Sequence, residues 1–353
     1  MTEAHASILL HNEDDLLLRD GCRRVLDGEL PIGWVRSTLD EAGPWPRQWS
    51  TFTELGWTAL VVPEAFGGMG LGLRALTVVA EELGRAMQPG PLLASSVFAL
   101  ALARLGTDDQ QQRWLPTVAR GELMATWSID VDGSGGRLIA ERVPQEPQGS
   151  WRLSGVRRLV PDPAHAHVVL LDAQTADGSG LFVVPLDQDG VTVTAHWTID
   201  LTRRHGVPQL DGVSVDAVSR VGQEASASSW PAAAGVVVQC AESVGAGARL
   251  LELTVEHAQH RRQFGRAIGS FQALKHRMAD MRIAVQAARA AMRYAAWSME
   301  LGRPDAERAV HVAKLWIGES MSALAGEALA DPRWRRLHLG ARPAPVPAPA
   351  EGQ

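Results

Sequence analysis

The stretch RRQFGRAIGSFQALKHRMADM, residues 261–281, decides how the rest of the chain is read. Two arginines precede a glycine-containing turn, and Phe271 and Gln272 open a long run with helical spacing of its apolar residues. Arginines at such a turn can hold a pyrophosphate through forked, charge-assisted hydrogen bonds. Residue chemistry alone favours the blander reading, a helix–loop–helix with a solvated basic face. His257 and His260, just upstream, read as residues that cap or solvate a helix end; with no third ligand in view, no metal site is expected.

Outward from this stretch, residues from about Ala232 to Ala330 are Ala-rich and helical in pattern, with the clearest turn at Gly302–Pro304. Further upstream, between Leu123 and about Val221, the texture changes to short alternating runs. WRLSGVRRLV (151–160), HVVLLDA (167–173), GLFVVPL (180–186) and VTVTAHW (191–197) are separated by Gly, Pro, Asp and Gln, which predicts a β-domain, either barrel or sandwich. Residues from about Asn12 to Gly121 return to helical spacing, with Gly84 near the end of one helix and Thr107 as the N-cap of another. Separate runs of helices and strands argue against a parallel α/β sheet. The expected fold is α+β and multidomain: an all-α N-terminal domain over 1–122, a middle β-barrel or sandwich over 123–228, and a four-helix-bundle-like domain over 229–330. An irregular Pro/Ala-rich tail is expected over 331–353.

A chain of 353 residues with 46% hydrophobic and 21% charged residues is ordinary globular protein. Its formal charge of −6 gives no general attraction to nucleic acid or an anionic membrane surface. Cys22 and Cys240 are far apart and form no CxxC pair, so neither a disulfide framework nor a zinc site is suggested. The N-terminal residues carry acids where a signal peptide needs positive charge, and no apolar run reaches the length of a membrane span, so a cytoplasmic location is expected. The twelve tryptophans are scattered singly, as core residues are.

Arg261–Gly265, Ile268–Gln272 and Ala279–Met281 together resemble the C-terminal signature of the acyl-CoA dehydrogenases. LGWTALVVPEAFGGMGLGLRALTVVAEELGR (55–85) is similar to the family's N-terminal segment, and Thr107–Gly121 to its helix and Gly-Glu turn before the β-domain. In the right order, the three segments extend the resemblance over roughly residues 15–330. It implies an N-terminal helical domain, a middle β-barrel and a C-terminal four-helix bundle, with FAD held between subunits. It also implies oxidation of an acyl-CoA thioester to the enoyl-CoA, with an electron-transfer flavoprotein or similar protein as acceptor. Carried across, Arg261 and Gln272 correspond to the signature's flavin-contacting Arg and Gln, and Phe264 to its aromatic residue.

The departures are as specific. Where the family has LeuThrGluPro-x-AlaGlySer, this chain has ATWSIDVDGS (125–134), with Ser128 keeping a hydroxyl near the Thr position. The family's TrpIleThr aligns with Leu159, Val160 and Pro161, and proline supplies neither N–H nor hydroxyl. The late glycine-rich loop is replaced by GEALADPRWRRLHLG (326–340). Flavin contacts are lost while the subunit-facing signature is kept, as in one chain of the α2β2 steroid side-chain dehydrogenases. A second dehydrogenase-like subunit is therefore the expected partner, and a bulky acyl-CoA the expected substrate. The alternatives are a non-catalytic buttressing subunit, or other flavin chemistry on the same fold such as nitroalkane oxidation or aromatic hydroxylation.

The reaction needs a carboxylate to take the α-proton. Some family members carry it late in the chain; the early alternative aligns with Gly235, which has no side chain. Glu242, two helical turns further along the same face and among Val236, Val238, Ala241 and Val244, is the candidate base, its basicity raised by desolvation. Its structural alternative is a Glu paired across the bundle with an arginine such as Arg261 or Arg262.

Overall fold

The computed structural model describes residues 13–39, 45–130, 133–143, 149–222 and 227–329. The tail read over 331–353 and most of the 326–340 segment lie outside the described residues. Among the described residues six α-helices come first: α1 (Glu13–Gly28), α2 (Ile32–Thr38), α3 (Pro46–Glu54), α4 (Gly72–Arg85), α5 (Leu92–Leu105) and α6 (Asp108–Ala119). The last starts with a full capping box: the Thr107 hydroxyl accepts from Gln110 N at 3.4 Å, and Gln110 Oε1 accepts from Thr107 N at 2.8 Å. The Gln110 amide also donates to the carbonyls of Val218 and Arg220, tying α6 to the strand region.

Nine strands follow in one mixed sheet: β1 (Ala125–Ser128), β2 (Leu138–Arg142), β3 (Trp151–Val156), β4 (Val160–Pro161), β5 (Val168–Thr175), β6 (Gly178–Pro185), β7 (Val191–His196), β8 (His205–Val215) and β9 (Arg220–Val221). Their order is β4-β8-β3-β2-β5-β6-β9, with β1 parallel to β5 and β7 antiparallel to β8. Of the barrel or sandwich expected, a closed barrel is not what forms: among the described residues the two ends of this path, β4 and β9, do not pair, so the sheet stays open. β5 shows why its run over 168–171 is wholly apolar. Val168 and Leu170 face the helical core, while Val169, Leu171 and Ala173 face a second core with Leu138, Trp151, Leu153 and Phe182. The fully buried Arg157 crosses this region, donating to Asp172 at 2.8 Å and lying 3.4 Å from Asp130.

Three long helices complete the fold: α7 (Ser229–His260), α8 (Gln272–Glu300) and α9 (Ala306–Leu329). They pack on one another, and α4 lies against both α7 and α8, so four helices share the core. Gly84 stands near the end of α4, as expected, and also admits a second backbone. A Cβ there would lie 2.1 Å from the Glu242 carbonyl oxygen, and a Cβ at Gly245 1.8 Å from that of Glu81. The backbones of α4 and α7 touch at this crossing, which fixes the height of Glu242 relative to the N-terminal helices.

Candidate functional site

Glu242 projects from α7 into a cavity of about 410 Å3 bounded by all three parts of the chain. Leu93 and Val97 of α5, Trp127 of β1 and Val238 of α7 give it apolar walls, while Asp162, Arg203, His205 and Lys314 give it polar ones. At Gly235 the Trp127 indole packs directly on the helix, only 2.0 Å from where a Cβ would stand. The early base position is thus filled by another residue's ring, and Glu242 is the α7 carboxylate that reaches the cavity.

Glu242 is paired with an arginine, but not with either of those expected. Its Oε1 accepts from Arg203 Nη2, and the two side chains are 18% and 30% exposed. Arg203 is held in turn, donating from Nη1 to the Gln88 carbonyl at 3.2 Å. Its loop is braced by Thr198, whose hydroxyl lies 2.8 Å from the carbonyl oxygens of both Asp200 and Arg203. The Asp200 carboxylate accepts from Thr202 N and Oγ1. Burial pushes the Glu242 carboxyl above the usual carboxylate range, with Arg203 opposing the shift. Glu242 Oε2 has no hydrogen-bond partner among the described residues.

Asp162 faces the same cavity just after β4 and is 7% exposed. It sits at φ +44°, a left-handed conformation uncommon outside glycine. Its N–H donates to the Arg204 carbonyl at 2.7 Å and its carbonyl accepts from His165 N at 3.1 Å, while Oδ1 is buried without a partner. Burial pushes this carboxyl up to about 7; Arg203 and Arg204 oppose the shift and Glu242 adds to it. His205 is held below the ordinary histidine value by burial first and Arg203 second. The thiols of Cys22 and Cys240 are pushed up to about 12 and about 11 by burial, so neither is an activated nucleophile.

The signature residues stand elsewhere, ~28 Å away along α7 at 1.5 Å per residue. Arg261 ends the helix, its N–H donating to the His257 carbonyl at 2.9 Å, and its Nε is buried without a partner. Arg262–Gln263 (β10) and Arg266–Ala267 (β11) then form a two-residue hairpin whose turn residues, Phe264 at φ +53° and Gly265 at φ +78°, are both left-handed. Phe264 is 92% exposed at the tip, its ring edge-on to Phe271 at 6.1 Å. Gln272, the first residue of α8, is also exposed. Ser128 belongs to neither place. It ends β1 on the strand face opposite Trp127, half-buried, paired with Leu171 of β5 and with no side-chain hydrogen bond among the described residues.

Residue reading missed Arg203, Asp162 and the Trp127–Gly235 contact. A wider groove of about 920 Å3 between α1, α7 and α8 is lined by arginines stitched to acids, with Arg23 on Glu82 and Arg289 on Glu81. Among the described residues, no group of three or more His, Cys, Asp or Glu could hold a metal ion, and no helix is long and apolar enough to cross a membrane.

Residues 12–122 match the family model described as "Acyl-CoA dehydrogenase, N-terminal domain" and residues 233–330 the one described as "Acyl-CoA dehydrogenase, C-terminal domain". Acyl-CoA dehydrogenase FadE27 of Mycobacterium tuberculosis is 33% identical over 281 residues, 77% of this chain and 74% of that one. The structure of the ChsE4-ChsE5 complex from Mycobacterium tuberculosis superposes with a TM-score of 0.82 at 28% identity, over 91% of this chain and 87% of that one. The structure described as the Tcur3481-Tcur3483 steroid ACAD G363A variant gives 0.79 at 30% identity, over 90% and 88%.

Proposed function

The chain belongs to the acyl-CoA dehydrogenase family, and from that premise we propose that it is one subunit of a heteromeric FAD-dependent dehydrogenase that converts an acyl-CoA thioester to the enoyl-CoA. One observation carries the reading: the hairpin after α7. It holds an aromatic side chain almost wholly in solvent at a left-handed turn, beside an arginine whose Nε is buried and unbonded. A second chain presenting an anionic, flat group would satisfy both. Arg261, Phe264 and Gln272 fit a flavin nucleotide there: guanidinium to pyrophosphate, ring to ring, amide to a polar edge.

The strand side of this chain fits a flavin poorly. Pro161 has no donor, and its carbonyl already accepts from the Thr126 hydroxyl at 2.6 Å. Ser128, on the face away from the cavity, is a weaker candidate than the hairpin residues. When bound, FAD would accept hydride from the substrate β-carbon; the protein's own task is the α-proton. Because the hairpin stands ~28 Å along α7 from Glu242, a flavin held there would serve the partner's site. In the cavity beside Glu242, which would need a second flavin, Glu242 would take the α-proton on Oε2, with Arg203 orienting the carboxylate through Oε1. Heteromeric assembly is supported by the likeness to the ChsE4-ChsE5 complex, and a bulky acyl group by the likeness to a steroid ACAD. An electron-transfer flavoprotein or similar protein is the proposed acceptor.

The Glu242–Arg203 pair also favours a second reading, in which Glu242 is structural, the base lies on the partner chain and this subunit only buttresses the site. Arg261→Ala in the purified complex tests the main reading. Flavin affinity falls by roughly ten- to a hundredfold, as expected for a lost charge-assisted contact worth about 1.5–3 kcal/mol. Retention of flavin through dilution and gel filtration at the wild-type level would remove the hairpin from the site.

A further inference from the structure

The cavity around Glu242 contains a second carboxyl that the proton-abstraction step leaves unused. Asp162 is more than nine-tenths buried, lines the cavity, and keeps Oδ1 without a partner while both of its backbone polar groups are bonded. Its left-handed backbone is pinned on one side by the Arg204 carbonyl and on the other by His165 N, so the carboxyl's position does not depend on a ligand. Of the other polar side chains at the wall, Arg203 is committed to Glu242 and Gln88 and Lys314 lies on an exposed face of α9, while His205 Nδ1 is, like Asp162 Oδ1, buried without a hydrogen-bond partner.

We propose that Asp162, in its protonated form, donates the hydrogen bond that stabilises the thioester carbonyl oxygen as Glu242 removes the α-proton. The proposal rests on the reading that this cavity receives the acyl thioester. In the step, the α C–H bond breaks and its proton passes to Glu242 Oε2. The electron pair forms the carbon–carbon double bond of an enolate whose oxygen accepts from the Asp162 O–H. Return of a proton from Glu242 regenerates the thioester, so the step needs no oxidant. A carboxylic acid kept neutral by an apolar site is a competent donor to such an oxygen, and Asp162 stays protonated up to about pH 7. The charged and titratable groups around it are Arg203, Arg204 and His205 at the start of β8, Asp200 on the preceding loop, Glu242 on α7 and Lys314 on α9.

The experiment uses phenylacetyl-CoA, which has no β-hydrogen, so only proton transfer can occur. The full-length chain, alone and in complex, is incubated with it in D2O, and α-deuterium incorporation is followed by mass spectrometry from pH 5.5 to 9. Asn and Gly both tolerate a left-handed backbone, so Asp162→Asn and Asp162→Gly are compared, with thermal melts to verify folding. Wild-type exchange falls as pH rises through about 7. Asp162→Gly exchanges about a hundredfold more slowly. Asp162→Asn, which keeps an N–H donor, recovers to within about tenfold and loses the falling limb. If Asp162→Gly exchanges like wild type while Glu242→Gln abolishes exchange, Asp162 is not the donor but Glu242 remains the base. If Glu242→Gln exchanges like wild type, or wild type shows no exchange, the proposal fails together with the reading beneath it.

Discussion

Replacing Asp162 by Asn should make the protein lose less stability on going from mildly acidic to alkaline pH. Asn matches the carboxyl in shape and suits φ +44°, but it does not ionise. Burial raises the Asp162 carboxyl from 3.8 to about 7 in the folded chain. A carboxyl with a raised folded pKa binds its proton more tightly when folded. As pH climbs past about 4 the unfolded chain releases that proton first, so stability falls until about pH 7, where the folded chain releases it too. The whole interval corresponds to about 4 kcal/mol at most, at roughly 1.4 kcal/mol per factor of ten, and about 3 kcal/mol of it falls between pH 5 and pH 8. Urea unfolding of wild type and Asp162→Asn at both pH values isolates this contribution, because every other titrating group is common to the two proteins. Wild type should lose about 3 kcal/mol more than the variant over that span. Equal losses would show that Asp162 is already ionised at pH 5 and would refute the argument from burial.

Gly245→Ala places a methyl 1.8 Å from the Glu81 carbonyl oxygen, so the α4–α7 crossing must open; about 1–3 kcal/mol or more of stability is lost, read from denaturant midpoints. Arg157→Met strands Asp172 and Asp130 without their cation inside the strand region and costs about 3–5 kcal/mol, unless thermal melts show the variant folding as wild type does. Glu242→Gln lowers the single-turnover rate of flavin bleaching by substrate about a hundred- to ten-thousand-fold, with flavin content unchanged. A wild-type rate would move the base to the partner chain.

The order of helices, strands and helices was legible because periodicity is local: the Thr107 cap, the turn at Gly302 and the long helix from Gln272 all stand where spacing put them. Closure of the sheet was not. Whether the path closes depends on which strands lie at its ends, and the ends proved to be β4 and β9, which no local pattern pairs or separates. Glu242 could be found from two helical turns and apolar neighbours. Its partner could not, because Arg203 comes from a loop whose direction is set by the Thr198 and Asp200 bonds rather than by the helix. Asp162 carried no signal at all: a non-glycine residue in a left-handed conformation, between two prolines, reads as an ordinary turn. The close approach at Gly84 carried no signal for a related reason, since a glycine near a helix end and one that admits another backbone look the same in sequence.

Flavin stoichiometry decides whether the site is shared between two unlike chains. The chain is purified alone and again with its co-expressed partner subunit, and flavin per chain is measured by absorbance after gel filtration. The isolated chain should carry little flavin and the complex firmly bound flavin, which is lost when Arg261 is replaced by Ala. An isolated chain that emerges as a yellow homotetramer with one flavin per subunit would contradict a shared site.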